Sequence, residues 1–123
     1  AYPEAVPEPG LVVYRFDAPL FFVNAERFGE RVVEVLRENP GEEEWILLDF
    51  EGIGALDATA LDALGELVER LAEQHLAVVA VARANDEVLA RLQRAQLVQP
   101  EGPLQVFPTI NSAVRAFRGR PRG

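Results

Sequence analysis

The sequence predicts a small α/β sandwich, with a mixed, mostly parallel sheet of about five strands carrying about four helices. From residue 45 onward, an apolar strand-like run is followed three times by a segment with helical spacing. Such alternation folds as parallel strands joined by right-handed crossovers. Ahead of it lie two short runs of aromatic and β-branched residues, which read as a strand pair. Length sets the scale: 123 residues, 49% hydrophobic and 26% charged, suit one domain that needs neither disulfide nor metal to hold its core.

Residues 1–10, with three prolines, read as a stiff linker. Residues 11–17 and 20–24 are the strand pair, joined by a tight connection at Ala18 and Pro19. Asn24 is placed to cap a helix over 25–39, where Phe28, Val32, Val35 and Leu36 share a face and Pro40-Gly41 ends the pattern. The apolar run 45–50 predicts a strand covered on both faces. Leu61, Leu64, Val68 and Leu71 mark the longest helix, 57–75. Residues 76–82 are a second buried strand, followed by a helix over 85–97 with Val88, Leu89 and Leu92 inward. A short strand at 104–108 leads to Thr109, a good N-cap, and to a last helix with Ile110, Ala113, Val114 and Phe117 inward and Gly119 at its end. The domain is thus expected over 11–119, with 120–123 a basic tail.

Composition removes most enzyme classes. There is no cysteine, every one of the 12 basic residues is arginine, and His75 and Ser112 are the sole histidine and serine. Thiol and Schiff-base chemistry, Cys-ligated zinc and a P-loop therefore lack their reagents. No catalytic residue, metal or cofactor is expected. The net charge of −8 argues against nucleic acid as a partner. Charge is uneven: residues 1–75 hold 17 acids and 5 arginines, whereas 76–123 hold 3 acids and 7 arginines. No apolar run reaches the roughly 18 residues of a membrane span, and the absence of methionine fits a fragment of a longer protein.

The glycine-rich junction after the 45–50 strand is the most informative point, because crevices form beyond the carboxyl ends of parallel strands. Thr59 would present a hydroxyl to the free N–H groups of the following helix, where an anion such as phosphate is favoured. The plainer reading makes Thr59 or Asp57 a helix cap, with Thr59 and Asp62 approximating a capping box. On that reading Thr59 is mainly a cap, and its loss costs about 1 kcal/mol.

The apolar strand followed by Leu56-Asp57-Ala58-Thr59-Ala60 resembles the STAS domain, which is shared by anti-sigma-factor antagonists and the cytoplasmic tails of SulP-type anion transporters. In antagonists the turn carries an Asp-Ser-Ser/Thr-Gly-like motif whose second hydroxyl residue is phosphorylated. Asp57 and Thr59 stand at the first and third positions here, with Ala58 and Ala60 in place of the serine and glycine. The run from Pro9 to Ala25 resembles the opening of SulP STAS domains after the last membrane helix, and Phe107-Pro108-Thr109 is also similar. Gln96 departs from the pattern, since glycine is usual there.

The resemblance implies a non-enzymatic regulatory or interaction domain of a transporter for sulfate or a related anion. It would lie at the cytoplasmic face of the membrane, the fragment itself being soluble. Its implied partner is the transmembrane domain of the same protein, with a second copy or another cytosolic protein as further possibilities. The alternative is a free-standing antagonist switched by phosphorylation at Thr59 beside Asp57, and a third reading is a small nucleotide- or lipid-binding module. Phe21, Phe22 and Asn24 are candidate interaction residues, because in a strand one of two successive phenylalanines points away from the core. The row Glu26, Glu30, Glu34, Glu38 and the arginines 115, 118, 120 and 122 read mainly as solvated surface.

Overall fold

The computed structural model describes residues 8–15, 22–38, 44–74, 78–100 and 102–121, with backbone alone at 22–25. The elements alternate from the start: β1 (Leu11–Arg15), α1 (Phe22–Glu38), β2 (Trp45–Asp49), α2 (Ala58–Glu73), β3 (Val78–Ala82), α3 (Asp86–Arg94), β4 (Leu104–Phe107) and α4 (Ile110–Arg118). The sheet has the order β1-β2-β3-β4, and each neighbouring pair is parallel. The α/β sandwich with four helices is as the sequence predicts. The described sheet has four strands rather than about five.

The missing strand is the one expected over 20–24. Residues 22–24 instead form the first turn of α1. A strand of five residues needs a hydrogen-bonded neighbour along its length, whereas adding a residue to an existing helix supplies one more bond at once. Asn24 is therefore inside the helix and not its cap, and the alternation that would turn one phenylalanine outward does not apply to Phe22. Phe21, like His75, lies outside the described residues.

Strand alternation sorts the core into two layers. Val12, Ile46, Val79 and Leu104 stand in one row across the sheet, on the face packed by Phe28 and Val32 of α1, Leu64, Leu67 and Leu71 of α2, and Val88 and Leu92 of α3. On the other face Trp45, Leu47 and Ala80 meet Ile110, Ala113, Val114 and Phe117 of α4. Every residue of β2 is buried, as its unbroken apolar run requires. Thr109 caps α4 in a full capping box with Ser112. Arg120 lies against this layer, its guanidinium carbon 3.7 Å from the Phe117 ring centre and its Nε 2.9 Å from Glu44. Arg118 pairs with Glu8.

Candidate functional site

The carboxyl ends of β1, β2 and β3 carry the one charged side chain that is buried among the described residues, Asp49. Ending a strand buried on both faces, its carboxylate must find donors within the fold, since an unpaired buried charge is very costly. Arg83 supplies two, with Nε 3.1 Å from Oδ1 and a terminal nitrogen 2.7 Å from Oδ2. The Glu51 backbone N–H donates to Oδ1 at 3.0 Å. Arg15 stands 3.7 Å from Oδ2, and both arginines reach Glu51 at 2.9 Å. Two guanidinium groups and two carboxylates thus tie together three strand ends.

Arg83 holds this position at a cost. Its φ is 64°, a left-handed conformation that disfavours a residue with a Cβ by roughly 1–2 kcal/mol. The backbone turn aims the side chain across the strand ends at Asp49, and the bidentate pair offsets the strain. Composition offers no hint of this network. The available signal is positional: a carboxylate closing one apolar run and an arginine closing the next.

Beyond Phe50 the chain turns into α2, whose cap is Asp57. Its backbone is extended, at φ −90° and ψ 174°, and its carboxylate accepts from the Ala60 N–H at 2.8 Å. This corrects the sequence expectation that Thr59 is mainly the cap. Thr59 is the second residue of the helix and exposed, with its hydroxyl free of that task, and no box with Asp62 forms. The reason is register: the helix begins at Ala58, so position 57 has the non-helical geometry a cap needs. Asn85, the cap of α3, donates to the Gly54 carbonyl at 3.1 Å and so joins the two turns.

Thr59 lines the upper end of an open groove of about 590 Å³ between α1 and α2. Glu26, Glu30, Glu34 and Glu66 also border it, with Arg37 and Arg70 toward the other end. Glu34 pairs with Arg31, whose guanidinium is held above its ordinary range by hydrogen bonds to Glu34 and then Tyr14. A raised arginine value affects stability only in strong alkali, so the Arg31 shift adds no pH dependence near neutrality. Among the described residues no three His, Cys, Asp or Glu side chains converge to hold a metal ion.

A family model described as the STAS domain matches residues 2–113. The chain belongs to the STAS-domain family. The probable sulfate transporter Rv1739c of Mycobacterium tuberculosis is 44% identical over 119 residues, which are 97% of this chain and 21% of that protein. The solution structure of the Rv1739c STAS domain is 38% identical, covers 98% of this chain and 96% of that one, and superposes with a TM-score of 0.56. The murine anion transporter Slc26a9 shares the fold over 94% of this chain and 19% of its own, at 19% identity and a TM-score of 0.82. So does the anti-sigma factor antagonist SpoIIAA in its unphosphorylated form, over 95% and 96% at 18% identity, with a TM-score of 0.63. This STAS domain is therefore homologous to the STAS portion of sulfate transporters, and it spans about a fifth of the length of the curated relatives it matches.

Proposed function

We propose that this STAS domain is a non-catalytic regulatory and interaction module at the cytoplasmic face of a SulP-type transporter for sulfate or a related anion. The observation that carries the reading is the 44% identity along 97% of the chain with a transporter of which it matches 21%. A module of this size joined to membrane spans acts by contact, and its chemistry agrees: nucleophile and base are each scarce, and the buried carboxylate of Asp49 is engaged in holding strand ends together. Its partner on this reading is the transmembrane domain of the same polypeptide, with a second copy of the domain as a further contact. The candidate contact residues Phe21, Phe22 and Asn24 belong to this proposal, as does the division into a linker at 1–10, a domain at 11–119 and a tail at 120–123. Sequencing the gene around this segment tests the reading. Ten or more apolar spans encoded upstream are expected, and an initiator codon just before Ala1 would overturn it.

The exposed Thr59 hydroxyl, at the start of α2 and two residues from the cap Asp57, gives the antagonist reading its own support. A phosphate there would meet the helix N-terminus favourably and add about two negative charges to the groove. Mass spectrometry of the native protein decides it, with stoichiometric phosphate on Thr59 favouring the antagonist and an unmodified residue the transporter.

A further inference from the structure

We propose that the groove between α1 and α2 is the docking site for a basic amphipathic peptide segment, namely an arginine- or lysine-bearing stretch at the cytosolic end of a membrane span of the same polypeptide. This names the partner surface within the transporter reading and rests on it. The groove has an apolar floor and charged walls. Val33, Ala63 and Leu67 lie along it, and an added Cβ at Gly29 would meet nothing within 4 Å. Four carboxylates and two guanidinium groups border it. Glu26, Glu30 and Glu66 have no ion-pair partner among the described residues, whereas Arg118 and Arg120 of the basic end are engaged by Glu8 and Glu44.

That contrast selects the occupant. At the basic end of a second copy Arg118 and Arg120 already have their counter-charges, which leaves Arg115 as its one described arginine outside an ion pair, and an anionic lipid surface is repelled by the groove's acids. Cytosolic segments next to membrane spans carry an excess of lysine and arginine, which supplies the missing sign. Their apolar residues match the floor. Affinity need not be high, because a segment on the same chain is present at an effective concentration near ~1 mM, enough to fill a site with a dissociation constant of about 100 μM to roughly nine-tenths.

The test titrates the isotope-labelled 123-residue chain with a capped helical peptide of about 14 residues, roughly 21 Å long. The peptide carries arginines on one face and leucines on the other, and a second peptide replaces every arginine with glutamate. Expected are saturable amide shifts confined to 26–37 and 59–70, no binding of the acidic peptide, and about tenfold weaker affinity in the Glu30→Gln, Glu66→Gln double variant. Gly29→Leu, which projects into open space, should weaken binding as much while unfolding at no lower a temperature, since leucine is the better helix former. Shifts centred on Glu8 or Glu44, equal binding of the acidic peptide, absence of saturable shifts, or undiminished affinity in both variants overturns the proposal. An upstream gene without membrane spans would sink the transporter reading and leave the peptide result intact, so the two failures are distinguishable.

Discussion

Asp57 and Thr59 are two residues apart and carry opposite expectations. Asp57 satisfies the Ala60 N–H, so Asp57→Ala should lower the unfolding free energy by about 1 kcal/mol in urea titration. Thr59→Ala removes an exposed hydroxyl outside the cap and should stay within about 0.5 kcal/mol. The reverse ranking would return the cap to Thr59. Arg83 poses a sharper test, because its removal takes the bidentate guanidinium from a buried carboxylate and leaves Arg15 at 3.7 Å and the Glu51 N–H at 3.0 Å. Arg83→Ala should cost about 3 kcal/mol, within the range for breaking buried pairs. Arg83→Gly loses the same pair but relieves the left-handed backbone, and should be about 1 kcal/mol less damaging. Equal losses in the two variants would mean that the backbone strain is negligible. Sequence reasoning missed this pair because its members are 34 positions apart, and nothing short of the sheet register brings them together. The candidate cap, by contrast, was legible to within two residues.

At the scale of elements, the strand-helix repeats from β2 to α4 were readable, because each combines an apolar run with a clear helical stripe and a good terminator. The first helix was readable in its core but not at its start, since an aromatic run carries both strand preference and the ability to lengthen a helix. The end of α3 shows the finest agreement between resemblance and physics. Gln96 stands where the family pattern places glycine, and its φ is 59°. Its N–H bonds the Gln93 carbonyl at 3.0 Å, and that of Leu97 bonds the Leu92 carbonyl at 3.1 Å. This is a Schellman turn, whose central residue is left-handed. Gln96→Gly should therefore stabilise the domain, by about 1 kcal/mol once the greater entropy of glycine in the unfolded chain is allowed for. A decrease in thermal midpoint would contradict that account of the turn.

Across the whole molecule, the two layers differ in charge as well as in thickness. The side with α1 and α2 presents an acidic groove, and the side with α4 ends in arginines tied to Glu8 and Glu44. The acids that border the groove and the arginines of α4 thus lie on different sides of the sheet. On the transporter reading the domain's chemistry is that of contact and not of bond making, and anion selectivity lies in membrane segments. On that reading the domain modulates transport without handling the anion. This role is tested most directly by radiolabelled sulfate uptake into proteoliposomes, comparing the full-length protein with one lacking this domain. The account predicts a lower maximal rate in the shortened protein at an unchanged KM, when both are reconstituted at equal amounts of folded protein. An unchanged rate, or a KM that shifts with the domain's removal, would contradict it.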